Sequence, residues 1–308
     1  MRLSVMVLGF VCVCALVIGM AAPMVQDEDV RGAFMTSRPK DKPASTNTTP
    51  KVSRRRPKSS GPTDTGKTPD KAVDKTPNKP PHAGHSSTPP SESSTPVNAR
   101  RMGLGVTLFM RDSNGLAVRV DPDHVFRKGD RVRILLETNA DGYLYIFNTT
   151  DDGAATMIYP NAELDEAGNY LQAHVPFEIP SSASTDERLR WFAFDEAAGT
   201  ERVFFVFTRE PLNGIPIEDD LIALCRDSKD RCPVKPSSEV WAAVQKQMQE
   251  PLKTDKTQQQ FGKAQTTVEQ EATSRGLGLA KDDPQPSVVM MASSPRSTLV
   301  ATLDLIHK

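Results

Sequence analysis

From Gly103 to Thr208, apolar and polar positions alternate in short runs broken by turn residues, the pattern of paired β-strands. Leu104 to Arg111 predicts a strand closed by the turn Asp112-Ser-Asn-Gly115, and Leu116 to Asp121 pairs back as a hairpin ended by Pro122. Lys128-Gly129-Asp130 turns into a strand over Arg131 to Thr138. Tyr143 to Thr150 follows Ala140-Asp141-Gly142, and Asp151-Asp152-Gly153 turns it into Ala155 to Tyr159. His174 to Ile179, Leu189 to Phe194 and Arg202 to Thr208 complete the series. About eight short strands with regularly spaced turns predict a mainly β chain folded as an antiparallel β-sandwich.

Alternation also assigns faces. In Arg131-Val132-Arg133-Ile134 the apolar residues point one way and the arginines, by this reading, to solvent. Val203 to Phe207 is apolar on both faces and predicts a central strand, with Trp191, Phe192 and Phe194 packed beside it. Tyr143, Tyr145, Phe147 and Tyr159 read either as core and cross-strand packing or as a platform for stacking sugars. Tyr143, Tyr145, Tyr159 and the loop residue Asn161 are the candidate binding residues.

Beyond Thr208 the period changes. Val240, Trp241, Val244 and Met248 are spaced for a helix over Glu239 to Gln249, stopped by Pro251. A polar, Gln-rich stretch over about 250–285 predicts a segment of low order. Val288 to Ala292 and Leu299 to Ile306 are the last apolar runs, and the second predicts a strand returning to the sheet.

The start of the chain sets the compartment. Met1-Arg2, an apolar run from Leu3 to Ile18, and the small residues Gly19 and Ala21 form a signal peptide over residues 1–21, cleaved after Ala21. Val11 and Val13 precede Cys12 and Cys14, so a lipidation site is absent there. The alternative is an uncleaved membrane anchor. Either way the expected location is periplasmic or extracellular. Cys225 and Cys232 are then a close pair in an oxidising compartment and predict a disulfide. A metal site would need a second ligand pair near them, and the neighbouring sequence has no His or further Cys.

Composition separates residues 22–101 from the remainder of the chain. From Thr36 to Arg101 there is no hydrophobic period and no Phe, Trp or Tyr, and 14 Lys/Arg stand against 5 Asp/Glu. Such a segment cannot offset the entropy of ordering, so 22–101 is expected to be a disordered basic linker that holds the domain away from the membrane. Domain boundaries are accordingly 1–21, 22–101 and 102–308. Gly61-Pro-Thr-Asp-Thr-Gly66-Lys67-Thr68 matches a phosphate-binding loop by letter. It lacks the preceding strand, and Pro69 stands where the helix should run. The basic run Arg54 to Lys58 reads as a solvated charge run or as a contact to anionic envelope polymer or lipid headgroups. His82 and His85 have no further ligand beside them. With net charge −1 the whole chain gives no electrostatic case for nucleic acid as a partner.

No nucleophile elbow, His-Glu-x-x-His or Cys/His signature occurs, so no catalytic residue, metal ligand or cofactor is expected. His124, His174 and His307 read as packed or surface residues. Asp151-Asp152 and Asp219-Asp220 lie in predicted loops, and neither Asp112-Ser-Asn-Gly115 nor Asp151-Asp152-Gly153 completes a calcium loop.

Several motifs together carry a family resemblance: Phe126-Arg-Lys-Gly-Asp-Arg-Val-Arg-Ile, Asn139-Ala-Asp-Gly-Tyr-Leu-Tyr-Ile-Phe, Ile158-Tyr-Pro-Asn161, Asn169-Tyr-Leu, Phe177-Glu-Ile-Pro180 and Gly199-Thr-Glu-Arg-Val-Phe. Over about residues 103–212 the chain resembles domain-of-unknown-function family 4384 of exported bacterial proteins. Leu303-Asp-Leu-Ile-His307 resembles the tail of similar proteins and extends the resemblance towards the C terminus. The resemblance implies no catalytic residues. In related architectures such domains stand beside kinase-like or protease-like modules, which this sequence lacks. The expected function is a non-catalytic exported binding or assembly module for a protein of the cell envelope. The alternative is a glycan-binding sandwich, and a hydrolase has the least support. A bare edge strand would favour the protein partner, and an exposed aromatic pair the glycan.

Overall fold

The computed structural model describes residues 29–41, 101–151, 153–162, 168–227 and 232–308. The expected signal peptide, the phosphate-loop match, Arg54 to Lys58, His82 and His85 lie outside the described residues. In chain order the elements are α1 (Val30–Thr36), β1 (Gly103–Arg111), β2 (Ala117–Arg119), β3 (Arg131–Thr138), β4 (Gly142–Thr150), β5 (Thr156–Tyr159), β6 (Tyr170–Leu171), β7 (Phe177–Ile179), β8 (Phe192–Ala193) and β9 (Gly199–Thr208). There follow α2 (Glu218–Asp227), α3 (Ser238–Met248), β10 (Leu252–Lys256), α4 (Thr267–Arg275), β11 (Val288–Ala292) and β12 (Thr298–His307). Among the described residues no helix is long and apolar enough to cross a membrane.

The strands form two antiparallel sheets. One runs β10-β11-β1-β3-β7, with β2 on β1 and β8 on β3; the other runs β12-β9-β4-β5, with β6 on β4. Their inner faces enclose the core: Leu104, Val106, Leu108, Val132, Ile134 and Leu136 meet Leu144, Ile146, Phe205, Phe207, Leu299 and Ala301. The sandwich and the central position of β9, between β12 and β4, agree with the alternation in the sequence.

Helices cover the outside. On the second sheet, Tyr143, Tyr145, Phe147, Phe204, Val206 and Val300 are buried under Leu221 of α2 and Val244 and Trp241 of α3. The Cys225–Cys232 disulfide, with Cα atoms 5.5 Å apart, ties the end of α2 to the segment leading to α3. That segment is held to the sheet by Met157 N donating to Val234 O at 2.8 Å. Replacing both cysteines with serine is expected to lower stability by about 2–3 kcal/mol, the loop-closure value for so short a ring. The shift in denaturant midpoint, absent when reduced wild type is compared, checks it.

The outer face of the first sheet differs from expectation in four ways. Residues 29–41 belong to the packed body and not to a linker. Phe34 of α1 is 0% exposed and sits on Val289 and Met291 of β11. A Cβ at Gly103 would stand 2.9 Å from the Phe34 ring, and one at Gly105 would collide with Pro286, so these two glycines make the seat. Arg38, 2% exposed, donates to Glu137 of β3 through Nε at 2.7 Å and Nη2 at 2.5 Å. His174 Nδ1 lies 2.7 Å from the same carboxylate, and its Nε2 lies 2.9 Å from Ser37 Oγ.

Secondly, the polar stretch over 250–285 is ordered: β10 pairs with β11, and α4 carries a capping box between Thr266 and Glu269. Glu269, 1% exposed, pairs with Arg119 of β2 at 2.5 Å. Thirdly, Arg133 is buried rather than solvent-facing, because Glu178 of β7 lies at 3.4 Å and the Trp191 ring stacks 4.0 Å from its guanidinium. Lastly, the stretch Leu189 to Phe194 begins in a 3-10 turn over Glu187–Arg190, and the strand is reduced to β8.

Candidate functional site

Main-chain direction along β12 is fixed by its neighbours. Phe126 N donates to Ile306 O at 2.8 Å, and Lys308 N donates to Phe126 O at 3.0 Å. At the other end Ser297 O accepts from Arg209 N at 3.0 Å. Even-numbered residues of β12 therefore turn their main-chain groups away from β9, and odd-numbered residues towards it. The N–H and C=O groups of Thr302 and Asp304, and the N–H of Ile306, face an open sheet edge and have no hydrogen-bond partner among the described residues. Ile306 is 43% exposed, and Val125, beside the Phe126 bridge, is 40% exposed, which leaves an apolar spot at the end of that edge. Asp304 pairs through both carboxylate oxygens with Arg202, at 2.7 and 2.9 Å. The hydrogen bond from Arg202 outweighs desolvation and holds the Asp304 carboxyl below the usual range.

Inside the sandwich the lining changes character towards the same end. Leu144 and Ile146 of β4 are followed on the inner face by Asn148 and Thr150. Phe207, Phe205 and Val203 of β9 give way to Glu201, and Leu305 of β12 to His307. Asn148, Glu201 and His307 line a cavity of about 210 Å³ whose walls are Val132, Ile134, Ile158, Phe192, Phe194 and Leu305. Asn148 Nδ2 donates to Glu201 at 2.6 Å, and Thr150 Oγ1 donates to the same carboxylate at 3.0 Å. Asn148 Oδ1 and both ring nitrogens of His307 are buried with no hydrogen-bond partner among the described residues. Glu201 Oε1 stands 3.6 Å from His307 Nε2, beyond hydrogen-bond length. A buried polar group left unpaired costs about 1–3 kcal/mol, and native structures keep few.

The residues read from the sequence as candidates lie elsewhere. Tyr143, Tyr145 and Tyr159 are 4%, 0% and 0% exposed, so none offers a ring face to a sugar. The Tyr145 hydroxyl accepts from Leu212 N at 2.9 Å, and burial pushes its pKa up; Tyr159 donates to Gly168 O at 2.9 Å. Asn161 is half-buried past the end of β5. Asn148, Glu201 and His307 escape a reading of the sequence because each is ordinary alone. The usable signal is their parity, since all three fall on the inward register of strands whose other inward residues are apolar.

Among the described residues no cluster of three or more His, Cys, Asp or Glu is placed to hold a metal ion. No curated protein and no solved structure matches the chain. The approach to β3 and the strands through β9 fall within a recognised family, whereas β1, β2, the helices after β9 and β12 lie outside the matched span. Residues 125–211 match the family described as Domain of unknown function (DUF4384).

Proposed function

We propose that the chain is a non-catalytic exported module that binds a protein of the cell envelope by adding the partner's strand to the edge of β12. The observation that carries the reading is the open edge at Thr302, Asp304 and Ile306, with exposed Ile306 and Val125 beside it. Unpaired main-chain groups on an edge strand supply affinity to an extended segment, and adjoining apolar side chains supply selectivity. Phe126 already occupies one such position in parallel orientation. The leader-like residues 1–21 and the Cys225–Cys232 bond support export. With 11 Lys/Arg against 4 Asp/Glu, residues 42–100 suit contact with anionic envelope polymer or lipid. Burial of Tyr143, Tyr145 and Tyr159 removes the main support for a glycan.

Thr302→Pro tests the reading. The Thr302 N–H faces away from β9, so proline removes an edge donor without breaking a bond of the sheet. Oxidised protein spanning residues 22–308 is expected to retain an envelope protein that Thr302→Pro retains at least about tenfold less. Thr302→Val should retain it as wild type does, and both variants should melt close to wild type. Equal retention by Thr302→Pro, or pairing of two copies of this chain in sedimentation with no envelope protein retained, would overturn it.

A further inference from the structure

We infer that the cavity at the end of the sandwich is a binding site for a small organic amine, with an apolar body against the apolar wall and one ammonium head on the Glu201 carboxylate. The size of the cavity limits the ligand. A dry cavity of about 150 Å³ takes a benzene ring. At about 210 Å³ this one has room for a ring and a short tail.

The polar lining determines the head group. Asn148 Nδ2 is committed to Glu201, a carboxylate that can only accept, so the amide orientation is fixed and Asn148 Oδ1 is left as a buried acceptor. Glu201 adds a negative charge to the lining. An ammonium has three N–H donors and no acceptor, so it meets that carboxylate without bringing an acceptor of its own that would go unpaired. Among the described residues no lysine or arginine lines the cavity, and Asp195 at its rim adds to the negative field. A carboxylate or phosphate head would face acceptors and negative charge alone. Phe192 and Phe194 are the aromatic side chains of that lining, with Phe194 stacked on Phe126 behind it.

The inference is independent of strand addition at β12. Glu201 lies on the inner face and Thr302 presents its main chain at the outer edge, so either reading can fail alone. Oxidised protein spanning residues 22–308 is titrated with 2-phenylethylamine, 2-phenylethanol and phenylacetate, which share a ring and differ in the head group. Binding is followed by the NMR signals of the Asn148 side-chain amide. The amine is expected to shift those signals and to bind at least about tenfold more tightly than phenylacetate, with the alcohol between them. Glu201→Gln, the same size without the charge, should weaken the amine by about tenfold and leave the alcohol unchanged. Three outcomes would overturn the inference: no shift at Asn148 with the amine at about 10 mM, equal affinity for amine and phenylacetate, or an unchanged amine affinity in Glu201→Gln. The selectivity among the three probes decides the matter in wild type alone if the variant folds poorly.

Discussion

Replacing Glu137 with leucine is expected to lower stability by about 3–5 kcal/mol and to free residues 29–41 from the sheet. Glu137 is 3% exposed and, among the described residues, is the carboxylate partner of both Arg38 and His174. Without it the Arg38 guanidinium, whose side chain is 0% exposed, keeps its carbonyl contacts to Ala280, Asp283 and Pro284 but loses its counter-charge. A buried cation without a counter-charge costs far more than a lost surface pair. The least costly escape is for residues 29–41 to lift away, which would uncover Phe34 and the outer faces of Val289 and Met291. Denaturant unfolding gives the energy, and trypsin gives the release, because the Arg31–Gly32 bond becomes cleavable while the sandwich persists. Adding Arg38→Met to Glu137→Leu should recover much of the loss, as removing both charges leaves neither buried alone. An unchanged midpoint in the single variant would contradict the placement of residues 29–41.

Arg119→Met is expected to cost a similar amount, about 3–5 kcal/mol, at the other end of the same sheet face. The Arg119 and Glu269 side chains are 1% and 2% exposed and meet at 2.5 Å. Arg119 also spans to Ala264 O at 2.9 Å and lies over the Phe109 ring. Glu269 additionally accepts from Thr266 N and Thr266 Oγ1, both at 2.9 Å, so its charge is shared between the ion pair and the cap of α4. Loss of the arginine leaves a buried carboxylate at the N-terminal turn of a short helix. Unfolding in denaturant checks the cost, and circular dichroism of the folded baseline reads the loss of α4. Arg119→Met combined with Glu269→Leu should again be milder than the single change.

These two ion pairs mark where the sequence stops being legible. The strands β1, β3, β4, β5 and β7, the hairpin onto β1, the buried β9 and the returning β12 are readable because their inner faces are apolar at every second position. A period-two pattern reports burial directly. The Cys225–Cys232 bond is readable from compartment and spacing. By contrast, α4 turns Glu269 inward as well as Ala272, so a search for apolar periodicity takes its stretch for loop. The same logic assigns Arg133 to solvent. Its partners Glu178 and Trp191 are brought to it by β7 and the turn before β8, far along the chain. The seven residues of α1 are too few to declare a helix alone. What fixes them is the pair of glycines on β1 and a carboxylate on β3. The site is the least legible part. Tyr143 and Tyr145 look available because aromatic residues serve cores and surfaces alike, and the packing of α2 and α3 decides between the two, whereas Tyr159 is taken up by the core between the sheets.

The most direct test of strand addition is amide hydrogen exchange on the oxidised protein, resolved to single residues of β12, with and without the retained envelope protein. In the free protein the amides of Thr302, Asp304 and Ile306 should exchange quickly, and those of Leu303 and Leu305, which face β9, slowly. On binding, the even-numbered amides should become protected while Leu303 and Leu305 change little. Protection confined to other surfaces, with Thr302 and Asp304 exchanging as before, would contradict the account.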